Sequence, residues 1–276
     1  MNDPRLNDPR LNDPTGSGAR TDGGARNDAR HVARYGVDGP GWLLGLTAAA
    51  LAPLAAVAAG GPRRLLRCTP VPAVAAGLFL HATARGKFRV WEEQLDALGL
   101  RGDERALDLG CGRGALLTAV ARRLPRGRVT GVDLWRRVDQ SGNGPGAALD
   151  NARRTGVADR IDLVTADMRR LPLDDEHYDV VVSGLAIHNI PDREGRRQAV
   201  REAYRVLKPG GRLLVLDLFH TADYRRTLLA AGAVDVTRTD VGPRMWWSGP
   251  WIPTRALGAR KPVPTHGLDR TDRKAS

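Results

Sequence analysis

From residue 90 onward, apolar runs rich in β-formers alternate with helical periodicity. The runs at 105–109, 128–132, 160–164, 178–183 and 212–217 read as strands. Between them, Leu116, Leu117, Val120, Ala121 and Leu124 fall on one helical face, as do Ala199, Val200, Ala203 and Leu207. Pro209-Gly210-Gly211 ends the second helix and turns into the next strand. Strands that are each followed by a helix imply βαβ units, hence a parallel sheet with helices on both faces. Two late strand candidates, 234–237 and 254–259, flank a loop rich in Gly, Pro and Trp.

The pattern upstream is different. Residues 39–62 carry no charge, and 42–59 are Trp, Leu, Ala, Val and Gly with one Thr and one Pro. A membrane-spanning helix needs about 20 apolar residues, and this run lies at the lower edge, with Pro53 inside it. Arg63, Arg64 and Arg67 follow. A second uncharged run, 68–84, is interrupted by Pro70, Pro72 and His81, and is followed by Arg85, Lys87 and Arg89. The pair reads as a short membrane hairpin or as one span plus an interfacial piece. A soluble helical extension packed on the domain is the alternative. A hairpin would put Arg63, Arg64 and Arg67 on the far side, against the usual charge bias. The run starts too far from the N-terminus for a signal peptide.

Residues 1–38 open with Asn-Asp-Pro-Arg-Leu at 2–6, repeated at 7–11, and the stretch that follows to Gly24 carries almost no large apolar side chain. Such a segment buries too little surface to offset its ordering entropy. The expected organisation is therefore a disordered tail over 1–38, an apolar helical and membrane-associated segment over 39–86, one α/β domain over 87–261, and a second disordered tail over 262–276.

Composition narrows the function. The 276 residues hold 43 Lys and Arg against 31 Asp and Glu, a net charge of +12. That excess permits contact with phosphate or anionic lipid but requires neither, because the arginines are spread along the chain. Two cysteines, Cys68 and Cys111, exclude a disulfide framework and a Cys-rich zinc site. Aromatic residues are 5% of the chain, too few for a base-stacking platform.

The chemistry gathers where the first strand ends, in Asp108-Leu109-Gly110-Cys111-Gly112-Arg113-Gly114, with a helix following at once. A glycine turn between strand and helix lets a ligand approach the backbone, and the helix start offers unpaired N–H groups. The spacing also loosely satisfies a dinucleotide fingerprint, Gly110-x-Gly112-x-x-Ala115, so NAD(P) is an alternative. Three further positions favour S-adenosyl-L-methionine. Asp108 stands where it can face a cationic ligand or order the loop. Asp133 ends the second strand, where a carboxylate accepts from a ribose diol. Asp167 follows the third strand, where it can accept from an adenine amino group with Met168 against the ring, or cap a turn.

The glycine loop, Asp133, Ala166-Asp167-Met168, the stretch 179–190 and the stretch 205–211 occur in one order and spacing. On these motifs residues 104–261 resemble class I S-adenosylmethionine-dependent methyltransferases of the small-molecule type. The resemblance implies an α/β Rossmann-like seven-stranded sheet of order 3-2-1-4-5-7-6, its last strand antiparallel. It implies a cofactor site of Asp108, Gly110, Cys111, Gly112, Gly114, Asp133, Leu134, Asp167, Met168 and Ser183. Tyr35-Gly36-Val37-Asp38 and the pattern 135–143 resemble a bacterial subgroup with a membrane hairpin ahead of the methyltransferase.

A sulfonium donor departs neutral, so in-line transfer needs alignment more than acid catalysis. His188, after the fourth strand, is the candidate catalytic base, since imidazole titrates near neutral pH; the alternative is a histidine that packs and bonds the backbone. Cys111 reads as a filler, because no neighbouring residue supplies a base. Trp246, Trp247 and Trp251 suit an apolar acceptor pocket or simple packing. The loop 139–143 folds over the cofactor or caps the helix starting near Pro145. No carboxylate set suggests a metal. The turn after strand four lacks the pattern of base-amino methyltransferases, and nucleic acid is not an expected partner. The expected function is methyl transfer to a small lipophilic acceptor, by a cytoplasmic domain anchored at the inner face of the cell membrane. An NAD(P)-dependent oxidoreductase and a non-catalytic membrane-tethered module are the alternatives.

Overall fold

The structure is a computed structural model and describes residues 31–264. Its strands are β1 (Arg105–Leu109), β2 (Arg128–Asp133), β3 (Ile161–Thr165), β4 (Tyr178–Gly184), β5 (Leu207–Asp217), β6 (Val234–Asp240) and β7 (Arg255–Arg260). They form one sheet in the order β3-β2-β1-β4-β5-β7-β6. The first five are parallel to one another, and β7 runs antiparallel to both β5 and β6. Val180, Val181 and Val182 are fully buried, as a central parallel strand covered on both faces demands. β5 starts earlier than its apolar run suggests. Leu207 pairs with Tyr178, Lys208–Gly211 bulge out with Gly210 at φ 79°, and regular pairing resumes at Arg212.

The helices are α1 (Pro40–Ala58), α2 (Pro70–His81), α3 (Lys87–Ala97), α4 (Ala115–Arg122), α5 (Pro145–Arg154), α6 (Arg193–Arg205) and α7 (Thr221–Ala230). Two apolar clusters sit on opposite faces of the sheet. One joins Val90, Trp91 and Leu95 of α3 to Leu116, Leu117 and Val120 of α4. The other joins Ala199, Val200 and Ala203 of α6 to Tyr224 and Leu228 of α7.

Two expected boundaries need correction. Residues 31–38 do not belong to a tail: they pack on the domain. The Tyr35 ring is buried, with its hydroxyl 3.3 Å from Thr118 Oγ1, and Arg113 Nη2 donates to the Ala33 carbonyl. Polar contacts order a stretch that hydropathy alone leaves unassigned. The break at 86 is also displaced. A single π-type turn, Ala82–Gly86, joins α2 to α3, and Ala82, Thr83, Ala84 and Gly86 are buried against the domain. The expectations for residues 1–30 and 265–276 lie outside the described residues.

α1 and α2 form an antiparallel hairpin turning at Gly60, Gly61 and the 3-10 turn Arg63–Cys68. Only Ala50 of α1 is buried. Trp42, Leu44, Leu51, Leu54, Val71 and Val74 are exposed. By length and composition Pro40–Ala58 and Arg63–Ala97 are each sufficient to cross a membrane.

Candidate active site

A cavity of about 940 Å³ opens at the carboxyl ends of β1, β2 and β4, the side of an open α/β sheet where ligands collect. Its floor is the glycine loop. Gly110, Gly112 and Gly114 have φ of 75°, 51° and 80°, a region that side chains disfavour. A Cβ on Gly110 would collide with Ala186 and one on Gly112 with Gln140. The loop is a backbone-only surface by necessity.

Asp133 clamps that loop. Its Oδ2 accepts from the Gly112 amide (2.8 Å), and its Oδ1 from the Trp135 amide (2.5 Å) and from Asn143 Nδ2 (3.3 Å). Gln140 continues the clamp: its Oε1 accepts from the Arg113 amide (2.8 Å) and its Nε2 donates to Asp38 Oδ1 (3.2 Å). Asp38 also accepts from the buried Lys87 ammonium (2.6 Å) and from Thr83 Oγ1 (2.9 Å). The loop 139–143 therefore covers the cavity and is fastened to the N-terminal segment, with Asp38 and Gln140 paired as a β-bridge.

Seven of the expected cofactor residues line this cavity: Gly110, Cys111, Gly112, Asp133, Leu134, Asp167 and Met168. Asp108, Gly114 and Ser183 do not. Asp108 is buried beneath the loop with no hydrogen-bond partner on either oxygen. Burial, reinforced by the neighbouring Asp133 charge, pushes its carboxyl up to about 8. Gly114 caps α4. Ser183 corrects the expectation: its hydroxyl donates to the Leu109 carbonyl (2.8 Å), beyond the last β1–β4 register pair, and Gly184 lines the cavity instead. Asp167 lines the wall, but its carboxylate is held by Arg169 through Nε (2.9 Å) and Nη2 (2.6 Å). Burial pushes the Cys111 thiol well up, with Asp108 and Asp133 adding to it, so it is no nucleophile.

His188 faces the cavity beside Asp217, a residue the sequence reading took only as a strand end. The Asp217 carboxylate receives the His188 amide (3.0 Å) and contacts its Nδ1. It also accepts from the Tyr224 hydroxyl (3.3 Å). Burial lowers the imidazole pKa, yet the fully buried Asp217 charge outweighs it and the net shift is upward. The His188–Asp217 pair has the arrangement of an oriented base and its orienting carboxylate. His220 does not line the cavity.

The opposite wall is apolar and comes from distant segments. Trp42 and Leu46 of α1, Phe79 of α2, and Leu218, Phe219, Trp247 and Ile252 supply it. Phe79 meets Trp247 edge-on at 5.1 Å, and Trp247 Nε1 is satisfied by Thr254 Oγ1 (3.0 Å). Of the three late tryptophans only Trp247 lines the cavity; Trp251 is exposed. Gly41 and Gly45 also line it, and a Cβ on either would meet nothing within 4 Å. The groove along α1 is open space.

Residues 107–215 match a family described as a methyltransferase domain. Over these residues the chain is similar to methyltransferase domains. Over 134 residues it is 34% identical to the ubiquinone/menaquinone biosynthesis C-methyltransferase of Pseudomonas entomophila, covering 48% of this chain and 49% of that one. The corresponding protein of Vibrio campbellii is also 34% identical, covering 48% of each. The chain thus spans about half the length of the curated relatives it matches. Among solved structures, the [4+2]-cyclase SpnF superposes with a TM-score of 0.55 at 24% identity, over 66% of this chain and 83% of that one. The geranyl diphosphate C-methyltransferase of Streptomyces coelicolor superposes with a TM-score of 0.52 at 18% identity, over 65% and 81%. Those two likenesses concern the fold. The sheet, with an antiparallel β7 between β5 and β6, also departs from the 3-2-1-4-5-6 order of dinucleotide-binding dehydrogenases. Among the described residues no group of three or more His, Cys, Asp or Glu could hold a metal ion.

Proposed function

We propose that the protein moves a methyl group from S-adenosylmethionine to a small lipophilic acceptor that reaches the cavity from a membrane. The observation that carries this reading is one cavity with two unlike ends: a backbone-lined polar floor, and an apolar wall to which the candidate membrane hairpin contributes Trp42, Leu46 and Phe79.

The residues fit the donor. A backbone cradle at Gly110 and Gly112 that no Cβ could enter leaves room for close approach. The unpartnered Asp108 carboxyl beneath it suits a cationic amino group, which would draw it to the ionised form. Asp133 would accept from the ribose hydroxyls, and Asp167 and Met168 would hold the adenine, Asp167 in competition with its Arg169 partner. When bound, the donor supplies a methyl carbon on a positively charged sulfur. The chain's own task is alignment, worth several kcal/mol and up to roughly 7–11 kcal/mol in the best intramolecular cases. Asp217 holds Nδ1 of His188 and leaves Nε2 to take a proton from an acceptor hydroxyl. The imidazolium so formed rests against that carboxylate.

The acceptor end supports a lipophilic molecule. α1 has 19 residues, about 28 Å at 1.5 Å per residue, near the roughly 30 Å of a hydrocarbon core. Apart from Thr47, whose hydroxyl donates to the Leu43 carbonyl, its exposed side chains are apolar, and Arg63, Arg64 and Arg67 sit at the hairpin turn, able to meet phosphate headgroups. The names of the curated relatives, which concern quinone biosynthesis, agree with an acceptor of this class. On this reading the catalytic domain lies at the cytoplasmic face of the cell membrane.

The test is incubation of the full chain, on liposomes of a bacterial lipid extract, with methyl-labelled S-adenosylmethionine. Label is expected in an organic-soluble small molecule. Donor binding without labelled product would leave a non-catalytic binding module, and binding of NAD(P)H in place of the donor would reverse the reading.

A further inference from the structure

The segment that leads into the hairpin and the loop that covers the polar floor are laced together. Residues 36–39 run antiparallel to 139–141. The Val37 amide donates to Ser141 Oγ (3.0 Å), the Ser141 amide to the Val37 carbonyl (3.2 Å) and the Gly39 amide to the Asp139 carbonyl (3.2 Å). Gly36, at φ 75°, lets the two backbones touch, since a Cβ there would lie 2.6 Å from the Ser141 carbonyl oxygen.

Asp38 is the centre of this contact. It lines the cavity, yet both its oxygens are taken by the protein: Oδ1 by Gln140 Nε2 (3.2 Å), and Oδ2 by Thr83 Oγ1 (2.9 Å) and Lys87 Nζ (2.6 Å). Lys87 is fully buried. A buried ammonium stripped of its carboxylate is costly, so α3 holds Asp38 in place. Gln140 then works in one orientation only. Its amide oxygen must face the Arg113 N–H and its NH2 the Asp38 carboxylate; the reverse would set N–H against N–H and oxygen against oxygen. A run of contacts thus leads from Lys87 through Asp38 and Gln140 to the glycine loop. Consecutive amides of that loop have separate acceptors, Gly112 in Asp133 and Arg113 in Gln140.

We propose that Asp38 is a positioning residue of the methyl-donor site: through Gln140 it sets the Arg113 amide and keeps the loop 139–143 closed over the bound ligand. This rests on the S-adenosylmethionine reading above and adds to it a residue that does not touch the ligand. The contact opens for release, so its loss raises the dissociation rate more than it changes association.

The test exchanges the two groups on the full chain in detergent, with S-adenosylmethionine as the probe, read by calorimetry. In Asp38→Asn, with the amide oxygen kept by Lys87, two NH2 groups face each other; in Gln140→Glu two carboxylates do. Each is expected to weaken binding by about tenfold. The double variant Asp38→Asn/Gln140→Glu again sets N–H against oxygen at unchanged total charge, and is expected to return to within about threefold of the wild type. A residue that only supports the fold gives no such rescue. Single variants that bind like the wild type overturn the proposal, as does a double variant no tighter than either single. If the singles do not fold, Gln140→Ala decides, because it cuts the contact without opposing like groups and leaves the Asp38–Lys87 pair intact. It is expected to bind about tenfold more weakly, with a faster dissociation rate; unchanged affinity overturns the assignment. A wild type that binds no S-adenosylmethionine overturns the methyl-donor reading and this assignment with it, whereas tight wild-type binding with indifferent variants overturns this assignment alone.

Discussion

The two ends of the cavity are built on different principles. The floor is made by strand ends and the turns that leave them, all within residues 110–189, and is locked by backbone contacts such as Asp133 to the Gly112 amide. The apolar wall is assembled from α1, α2 and the 245–252 loop, segments roughly two hundred residues apart in the chain. A sheet fixes positions along its edge through register. A wall made by helices that pack mainly on each other depends more on side-chain contact, here Phe79 against Trp247, with α1 tied at its start by the Gly39 amide to the Asp139 carbonyl (3.2 Å). On the proposed reading, donor geometry is therefore the more rigid half of the site and acceptor geometry the more adaptable one.

That contrast can be broken experimentally. The largest effect is expected at the junction of the two halves. His188→Gln should lower kcat by about 10²–10⁴-fold while donor affinity stays constant. The wild-type rate should rise with pH through a pKa above the ordinary imidazole value, since the neutral ring is the base. A flat profile would remove His188 from proton transfer.

Asp133→Ala should weaken donor binding by about 10–100-fold. It should also lower the melting temperature, because the Gly112 and Trp135 amides lose their acceptor. Unchanged affinity in titration would detach Asp133 from the donor. Gly45→Phe, which fills the open groove on α1, should raise the acceptor KM by about tenfold and leave the donor Kd alone. A matching loss of donor affinity would show that the halves are not separate. The smallest effect concerns Asp108. Its folded pKa of about 8 exceeds the ordinary 3.8, so the native state binds the extra proton between those values. Stability of the ligand-free chain should then fall as pH rises from about 4 to about 8. At pH 7 donor binding should release at most about one proton. Asp108→Asn should flatten the thermal-melt profile and abolish the release.

The same contrast decides how much was legible in the sequence. Asp108, the three glycines and Asp133 are readable because each sits at a fixed distance from a strand end, and strand ends follow from hydrophobic patterning. Ser183 was misplaced by one position. Side chains alternate across a strand, and at the end of β4 the next residue, Gly184, is the one at the cavity. Asp217 was hidden because an acid closing an apolar run looks like an ordinary strand terminus; only the fold brings it to His188. Residues 31–38 were hidden for another reason. The segment has few apolar residues, and it is held by two of them, Tyr35 and Val37, together with hydrogen bonds that hydropathy does not count, among them Val37 N to Ser141 Oγ (3.0 Å) and Asp38 to Lys87. The hairpin was visible as composition, but nothing local says that one of its faces closes a catalytic cavity.

α1 is at once a lipid-length helix and a side of the reaction chamber, through Trp42, Gly45 and Leu46. If the proposed membrane-fed methyl transfer holds, such a catalyst has no need of a separate device to restrict where it works. Away from a bilayer it would then present that chamber to bulk water with one partition unsupported, and its address in the cell would become part of its chemistry.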